Sequence, residues 1–290
     1  MKSILVTGSD GQLGSSLKKN AGNYPMYTFT WIDINDLDLT VEDKVTHFFK
    51  KNHFDYIINC AAFTAVDKAE EQPDKAFAVN YLVPDYLGNI CTTTNSRIIH
   101  ISTDYIYDGS RNQPHLEEDL PLPVSVYAKS KLEGEKALWS NRNAIIIRTS
   151  WLYSEFGNNF LRTMIRLARE RKELGVVYDQ TGTPTYAGDL ALAVLNIIDH
   201  SEKNKFVHGI YNYSNEGVCS WFDFATEIMK ITGSSCSIKP IRTHEYPLPA
   251  KRPEYSVLDK SKIKRNFEIQ IPFWRNSLKI AIDHLNKKPD

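Results

Sequence analysis

A tyrosine and a lysine four residues apart are the pair in this sequence best suited to acid–base chemistry. Tyr127 and Lys131 have the spacing Y-x-x-x-K, which places a phenol and an ammonium one helical turn apart on the same face. Because the chain holds 15 tyrosines and many lysines, a pair of this kind is expected by chance, and the spacing alone indicates little. The flanking sequence is more informative: Pro121 and Pro123 keep the approach extended, and a helix is predicted to begin near Ser125.

A third hydroxyl, that of Thr103, is predicted to lie at the end of the fourth strand, where open α/β sheets bind ligands. A ketone that accepts a hydride develops negative charge on its oxygen, and a neighbouring acid must neutralise that charge. The ordinary pKa of tyrosine is about 10, so a phenol working near pH 7 needs a bias of roughly 3 pKa units, or ~4 kcal/mol, towards phenolate. We expect Lys131 to supply that bias and Thr103 to hydrogen-bond the carbonyl. The alternative is a surface helix with ion pairs such as Lys129–Glu133, and Thr103 as a strand-end cap.

Three glycines with the spacing G-x-x-G-x-x-G follow the first predicted strand, at Gly8, Gly11 and Gly14. Glycines permit a tight turn and a close backbone approach, and the helix that follows offers free N–H groups to a pyrophosphate. Asp33 ends the second predicted strand. An acid at this place accepts hydrogen bonds from the ribose hydroxyls of a dinucleotide, and its negative charge repels a 2′-phosphate. Together the loop and the acid favour nucleotide binding, with a lean towards NADH, over an ordinary strand-to-helix turn.

The elements that must position these residues alternate in type along the first half of the chain. Short, mostly apolar β-rich runs are typical of parallel strands covered on both faces, and they occupy residues 4–7, 27–32, 56–59, 97–102 and 144–148. Amphipathic helical stretches such as 41–51 lie between them. Strand and helix in repetition predict an α/β fold with a Rossmann-type, doubly wound parallel sheet.

The regular alternation of strands and helices ends at about residue 151. Helical stretches at 159–172, 190–198 and 221–231 alternate with irregular sequence and a proline-rich segment. We therefore predict an NAD(P)-binding domain over residues 1–150. Residues 151–290 are predicted to form a smaller C-terminal lobe that mainly binds substrate, with some of its segments returning to the sheet.

The composition argues against several classes of protein. Lysine plus arginine and aspartate plus glutamate are equal at 35 each, so no net field attracts nucleic acid or an acidic membrane. The four cysteines are scattered, which disfavours both a disulfide framework and a zinc site. No apolar run approaches the roughly 18 residues of a membrane span, and the first apolar run is too short for a signal peptide. We expect a cytoplasmic protein without nucleic-acid or membrane partners.

Taken together, the motifs resemble the extended short-chain dehydrogenases/reductases and, among them, the dTDP-4-dehydrorhamnose reductase family. The resemblance spans nearly the whole chain. It rests on the glycine loop, the Tyr127/Lys131 helix and the segments at residues 59–70, 102–105, 148–153, 157–160, 179–185 and 252–253.

The resemblance implies reduction of dTDP-4-dehydro-6-deoxy-L-mannose to dTDP-L-rhamnose by hydride transfer from NADPH or NADH, in a monomer or homodimer. It implies a catalytic trio of Thr103, Tyr127 and Lys131, with Tyr127 as proton donor. The implied contacts with the sugar nucleotide are Val66, Thr103, Asp104 and Trp151. The implied cofactor contacts, besides Tyr127 and Lys131, are Gly8, Gly11, Gln12, Leu13, Gly14, Asp33, Asp38, Leu39, Ala62, Phe63 and Thr64.

Two alternatives share this pattern. A sugar-nucleotide dehydratase, or another reductase of the same fold, would keep the Y-x-x-x-K helix, but related dehydratases place Asp-Glu after the threonine. Here Asp104 is followed by Tyr105. The other alternative is a non-catalytic subunit similar to the regulatory subunit of methionine adenosyltransferase, which turnover of NAD(P)H with the 4-keto sugar nucleotide would distinguish.

A metal is not expected to take part. Some relatives carry Mg²⁺ on carboxylates, but Ser16 and Gly188 stand where two of those acids would be, and Mg²⁺ requires several oxygen ligands. We predict that reductase activity survives exhaustive treatment with EDTA, measured as the initial rate of NAD(P)H oxidation. A large loss that Mg²⁺ specifically restores would show that other carboxylates hold a metal.

Overall fold

The computed structural model of the protein describes residues 1–287. Its strands in chain order are β1 (Lys2–Thr7), β2 (Tyr27–Ile32), β3 (Tyr56–Asn59), β4 (Arg97–Thr103), β5 (Ala144–Thr149), β6 (Leu152–Tyr153), β7 (Glu173–Val177), β8 (Thr181–Gly182), β9 (Thr185–Tyr186), β10 (Gly209–Tyr213), β11 (Cys219–Ser220) and β12 (Ser237–Ile241).

Its α-helices are α1 (Gln12–Ala21), α2 (Glu42–Lys51), α3 (Val66–Glu71), α4 (Pro73–Phe77), α5 (Val83–Thr94), α6 (Val126–Leu138), α7 (Phe160–Glu170), α8 (Ala187–Lys203), α9 (Trp221–Thr232), α10 (Ser261–Phe267) and α11 (Trp274–Asn286). A π-helical turn (Ala78–Leu82) joins α4 to α5, and 3₁₀ turns cover Asp104–Ile106 and Thr243–Glu245. Within residues 1–287, no helix combines the length and the apolar character that a membrane span requires.

Six strands form a wholly parallel sheet in the order β10-β5-β4-β3-β1-β2. Helices α1 and α8 cover one face through an apolar cluster that includes Val6 and Val194, and α2, α5 and α6 cover the other through Leu5 and Leu87. The predicted Rossmann-type doubly wound sheet is therefore confirmed. The sixth strand, β10, comes from the second half of the chain and was not predicted individually.

The strand order reverses between β1 and β3. From β1 the chain passes to β2 at one edge, then returns to β3 and continues through β4 and β5 towards the other edge. Loops leaving adjacent strands in opposite directions open a crevice at their carboxyl ends. The residues that follow these two strands are Gly8 and Cys60.

A second apolar cluster lies beyond the sheet. Helices α7, α9 and α11 pack around Phe224, Trp274 and Leu278, and β7 pairs in parallel with β12 beside them. Helix α8 and strand β10, which lie between these elements in the sequence, belong instead to the main sheet. Of the predicted lobe over residues 151–290, residues 288–290 lie outside the described part of the chain.

A buried ion pair attaches α6 to the sheet. Arg148 on β5 donates from Nη2 to Glu135 Oε2 at 2.7 Å, and both side chains are at most 1% exposed. Ser102 Oγ on β4 donates to the same carboxylate at 2.5 Å. Arg148 Nη1 donates to Tyr107 Oη at 2.8 Å and to the carbonyl oxygen of Glu117 at 3.0 Å. The two buried charges are thus paired and hydrogen-bonded, as burial requires.

The other side of α6 packs closely against the π-helical turn. A side chain at Gly134 would collide with the carbonyl oxygen of Asn80. Asn80 Nδ2 donates to Ser130 Oγ at 3.0 Å, and its Oδ1 accepts from the backbone N–H of Phe63 at 2.9 Å. Helix α6, the π-helical turn and the loop after β3 are therefore held in one fixed arrangement.

We predict that Glu135→Gln lowers the free energy of unfolding by roughly 3 kcal/mol, because it leaves the buried Arg148 charge without its counter-ion. Denaturant unfolding followed by circular dichroism measures the change. The control is Glu133→Gln on the same helix, where an exposed ion pair with Lys136 is worth at most about 1 kcal/mol. Equal effects of the two substitutions would contradict this account of α6.

Candidate active site

Two adjoining cavities open at the carboxyl edge of the sheet, at the crevice between β1 and β3. The larger has a volume of about 530 Å³ and the smaller of about 450 Å³. Both are lined by Gly8, Gly11, Cys60 and Ala62, so they meet at the loop after β1. This is where ligands bind in doubly wound sheets.

The glycine loop brings backbone, rather than side chains, to the junction of the cavities. Gly8 has a φ of +61°, and a Cβ there would lie 2.7 Å from the backbone nitrogen of Ala61. A Cβ at Gly14 would lie 2.5 Å from the carbonyl oxygen of Gly8, so Gly14 allows α1 to start close to the turn. No side chain caps α1, and within the described residues the N–H groups of Gln12 and Leu13 have no acceptor. They are available to an anion.

Two aspartates lie at the smaller cavity. Asp33 Oδ2 accepts from the backbone N–H of Asp10 at 2.9 Å and its Oδ1 accepts from that of Ile34 at 2.8 Å, which fixes the carboxylate beside the glycine loop. Asp38 Oδ1 accepts from the Thr40 hydroxyl at 2.6 Å, and the hydrogen bonds from Thr40 lower the pKa of Asp38. Both side chains therefore lie at the rim of the cavity, and the hydrogen bonds from Thr40 favour the charged form of Asp38.

Tyr127 lies in the first turn of α6 and lines the larger cavity. Ser125 caps the helix as predicted, with its Oγ accepting from the backbone N–H of Ala128 at 3.2 Å. Burial raises the pKa of Tyr127 to about 12, and the hydroxyl of Thr103 opposes this rise only in part. The predicted bias towards phenolate is therefore wrong in sign: the cleft holds Tyr127 as a neutral phenol.

Lys131 lies one turn further along α6 and is 2% exposed. Its Nζ donates to the carbonyl oxygen of Ile101 at 2.6 Å, which anchors the ammonium to β4. Burial lowers the pKa of Lys131 to about 8, although the Glu135 carboxylate favours the charged form. A buried lysine of this kind stays charged at neutral pH and titrates just above it.

Thr103 and Asp104 mark the end of β4 at the wall of the larger cavity. Thr103 Oγ1 accepts from the backbone N–H of Tyr105 at 3.2 Å and lies 3.1 Å from Asp104 Oδ1. Asp104 is 2% exposed. Burial raises the pKa of Asp104 to about 7, against the hydroxyls of Ser256 and Thr103, which favour its charged form. The carboxyl group therefore titrates near neutral pH.

Two tryptophans form the far wall of the larger cavity. Trp151 follows β5 in a left-handed backbone conformation with a φ of 48°, which is unfavourable for a bulky residue. Its ring stacks on that of Trp221, with centroids 3.7 Å apart and 11° between the planes. Trp221 was not predicted at the site, because the Ser220 capping box marks only the start of α9 and does not indicate that the ring reaches the cleft.

The side chain of Gln12 joins the glycine loop to the segment after β6. Gln12 Oε1 accepts from Asn159 Nδ2 at 2.9 Å and from Ser154 Oγ at 3.1 Å. Gly157, Asn158 and Asn159 consequently line the larger cavity, although the sequence analysis did not assign them to the site. The signal that could have found them is the G-x-N-F motif at residues 157–160.

The structure brings most of the predicted site residues together. The larger cavity is lined by Gly8, Gly11, Gln12, Leu13, Ala62, Thr64, Val66, Thr103, Asp104, Tyr127, Lys131 and Trp151. The smaller cavity adds Asp33, Asp38, Leu39 and Phe63. Gly14 lines neither cavity and serves the packing of α1 against the turn.

The positions considered for a metal hold no cation ligands. Ser16 is 1% exposed, and its Oγ donates to the carbonyl oxygen of Gln12 at 2.9 Å. Gly188 packs beneath the ring of Tyr186, where a side chain would collide. Across residues 1–287, no three His, Cys, Asp or Glu side chains are grouped in a way that could hold a metal ion. The residues present do not fit Mg²⁺ at this place.

Comparisons with known proteins agree with this geometry. A sequence profile described as the RmlD substrate binding domain matches residues 1–287. The chain is 41% identical over 287 residues to the dTDP-4-dehydrorhamnose reductase of Aggregatibacter actinomycetemcomitans, covering 96% of this chain and 98% of that protein. A crystal structure of a dTDP-4-dehydrorhamnose reductase from Clostridium acetobutylicum has a TM-score of 0.93 and 42% identity, covering 98% and 100% of the two chains.

A second solved relative was crystallised with a dinucleotide. It is the dTDP-4-dehydrorhamnose reductase of Bacillus anthracis in complex with NADP, with a TM-score of 0.92, 34% identity and coverage of 98% and 99%. A dTDP-glucose 4,6-dehydratase from the same organism is only 17% identical, with a TM-score of 0.81, and shares the fold alone. The profile and the near full-length identities show that this chain belongs to the dTDP-4-dehydrorhamnose reductase family.

Proposed function

We propose that this chain reduces the 4-keto group of dTDP-4-dehydro-6-deoxy-L-mannose to give dTDP-L-rhamnose, with a hydride from NADPH or NADH. The observation that carries the proposal is the convergence of Thr103, Tyr127 and Lys131 in the larger cavity, next to the glycine loop. The relatives of nearly equal length bear the name of this reductase, which supports the same activity.

The cleft has the features that a dinucleotide requires. The backbone N–H groups at the start of α1 would hold the pyrophosphate, with Gly8 and Gly11 leaving room for it. Asp33 would accept hydrogen bonds from the adenosine ribose, and Asp38, Leu39, Ala62, Phe63 and Thr64 would line the rest of the cofactor. Apolar side chains at the smaller cavity, among them Ile32, Leu37 and Val83, suit the face of an adenine ring.

The chemistry that the reduced nicotinamide supplies when bound is a hydride for the carbonyl carbon of the sugar. Tyr127 supplies the proton: its O–H bond breaks, the proton joins the carbonyl oxygen, and the alcohol forms while the phenol becomes phenolate. A neutral phenol is the form that this direction requires, so its raised pKa is suited to reduction. Lys131 would hold the nicotinamide ribose and stabilise the phenolate, and Thr103 would orient the carbonyl.

The sugar nucleotide would occupy the remainder of the larger cavity. Val66, Asp104 and Trp151 line that part, and we assign them to the substrate. Trp221 and Asn159 line it from α9 and from the start of α7, so the substrate would contact the region after residue 150 as well as the sheet. On this view the C-terminal lobe over residues 151–290 mainly binds substrate, and residues 1–150 mainly bind the dinucleotide.

No observation favours the alternatives. A dehydratase would be expected to carry Glu after Asp104, and the residue there is Tyr105. A non-catalytic regulatory subunit would not need a complete trio facing one cavity. We further propose that the protein acts in the cytoplasm as a monomer or homodimer. We expect no nucleic-acid partner, because its positive and negative charges balance at 35 each.

The first test is Tyr127→Phe, which removes one oxygen and leaves the ring in place. We predict that kcat for the 4-keto sugar nucleotide falls by at least about 10²-fold while KM changes little, because a positioned acid acts mainly in the transition state. Initial rates of NAD(P)H oxidation measure it, and Tyr178→Phe on the surface is the control. Near-normal turnover in folded Tyr127→Phe would mean that another group, such as Tyr105, supplies the proton.

Asp33→Ala tests the cofactor assignment. We predict that it shifts the ratio of kcat/KM values for NADH and NADPH towards NADPH, because the carboxylate accepts ribose hydroxyls and repels a 2′-phosphate. The exposed Asp43→Ala on α2 is the control. An unchanged ratio in Asp33→Ala would defeat the assignment of this acid to the ribose.

A further inference from the structure

Asp104 has a buried carboxyl group with an unusual set of neighbours. Its Oδ1 lies 3.1 Å from Thr103 Oγ1, and its Oδ2 is buried without a hydrogen bond of standard geometry among the described residues. The hydroxyl of Ser256 is close enough to favour the charged form of the group. A buried carboxylate normally accepts several hydrogen bonds or faces a cation, since burying an uncompensated charge is costly. Asp104 lines the larger cavity beside Tyr127, so its charge matters to any chemistry there.

No cation compensates this carboxyl group within the described residues. Lys131 on α6 donates to the carbonyl oxygen of Ile101 at 2.6 Å. Arg252 pairs with Asp67, with Nη2 and Oδ2 2.7 Å apart. The other titratable neighbours are the phenols of Tyr127 on α6 and of Tyr105, the next residue in the chain. An ionised Asp104 raises the pKa of both phenols.

The hydroxyl of Thr103 has one proton and two acceptor positions. It accepts the backbone N–H of Tyr105 at 3.2 Å. If Asp104 is ionised it can only accept, and in the hydrogen bond between the two residues the Thr103 proton then points at Asp104 and is unavailable to a ligand. If Asp104 is neutral, its own O–H can donate to Thr103, and the Thr103 proton is free to point into the cavity.

We propose that Asp104 works as a neutral carboxylic acid that donates to Thr103 Oγ1 and so directs the single Thr103 proton at the reacting oxygen in the cleft. Asp104 is then a positioning residue that acts through Thr103. The proposal rests on the reductase function proposed above. It explains why a buried acid lies next to the phenol: as a carboxylate, it would both occupy the Thr103 proton and oppose formation of the Tyr127 phenolate.

The direction of the pH dependence follows. The pKa of Asp104 is raised to about 7, so the working, protonated form is present below that pH and is lost as the pH rises through it. For a group that must be protonated, kcat/KM falls by roughly tenfold per pH unit above its pKa. The pKa of Lys131 is lowered to about 8, so loss of its proton causes a second fall in kcat/KM at higher pH. The wild type should therefore lose activity in two steps.

The experiment compares pH profiles of kcat/KM for the wild type and Asp104→Asn. The amide of Asn donates to Thr103 at every pH, so the pH profile of the variant should lack the step near pH 7 and keep the more alkaline one. The loss of the substrate contact assigned to Asp104 lowers kcat/KM at all pH values and does not change this shape. The exposed Asp43→Asn is the control and should keep both steps. Persistence of the step near pH 7 in Asp104→Asn would overturn the proposal.

Two further variants test the coupling through Thr103. Thr103→Val has no hydroxyl to direct, so the step near pH 7 should shrink to the part that comes from the charge of Asp104 beside Tyr127, whereas Thr103→Ser should keep the full step. Ser256→Ala leaves Asp104 in place but removes a hydroxyl that favours its charged form, so the step should move to higher pH. An unmoved step in Ser256→Ala, or a step of undiminished size in Thr103→Val, would count against the proposal even if Asp104→Asn failed to fold.

A measurement without turnover separates this proposal from the proposed function. Infrared difference spectra of the protein alone, titrated from pH 5 to 9 (a range of about two units either side of the expected pKa), should show a protonated carboxyl band that disappears near pH 7. The band should be absent in Asp104→Asn and present in Asp43→Asn. An Asp104 that is ionised throughout would overturn the proposal. The band together with no reduction of the 4-keto sugar nucleotide at pH 6 would instead refute the reductase function.

Discussion

Helix α6 lies against the carboxyl ends of the parallel strands with polar side chains on its buried face. The site depends on the ion pair and hydrogen bonds that compensate the burial of these polar groups. Glu135 is neutralised by Arg148, Lys131 donates to the Ile101 carbonyl, and Ser130 bonds Asn80. Each buried polar group that lost its partner would cost more than an apolar contact contributes. The hydrogen-bonding requirement therefore fixes the rotation and height of the helix on the sheet, and with them the positions of Tyr127 and Lys131.

Burial also decides the charge of the groups that face the cleft. It raises the pKa of Tyr127 to about 12 and of Asp104 to about 7, and it lowers that of Lys131 to about 8. All three shifts favour the uncharged form, which is the effect expected of desolvation. For a reductase the consequence is favourable, because a phenol that is to give a proton must hold it first. Of these three groups, Asp104 has the pKa closest to neutral pH.

The two apolar cores meet around the larger cavity. Trp151 belongs to the chain leaving the sheet and Trp221 to α9, and their stacked rings connect the cavity wall to the second core through Phe160 and Phe224. On the opposite side, Gln12 bonds Asn159 and so links the glycine loop to α7. The left-handed backbone at Trp151 is tolerated because stacking and close packing on both sides determine its conformation.

The sequence by itself determined the doubly wound sheet, the glycine turn and the cap at Ser125, since these depend on apolar periodicity and on residues a few positions apart. Most of the other lining residues were expected only because the motifs resemble those of a known family. The sequence did not indicate strand β10, whose partner β5 lies about 60 residues earlier in the chain, nor Trp221, which reaches the cleft from the second core. Gly14 was placed in the site but serves helix packing.

The predicted sign of the Tyr127 pKa shift was wrong for a related reason. Spacing places an ammonium one turn from a phenol, but only the tertiary structure decides that both are buried and that the ammonium is bound to β4. Charge and convergence depend on what surrounds a side chain in three dimensions, and neighbours in sequence supply little of that surrounding.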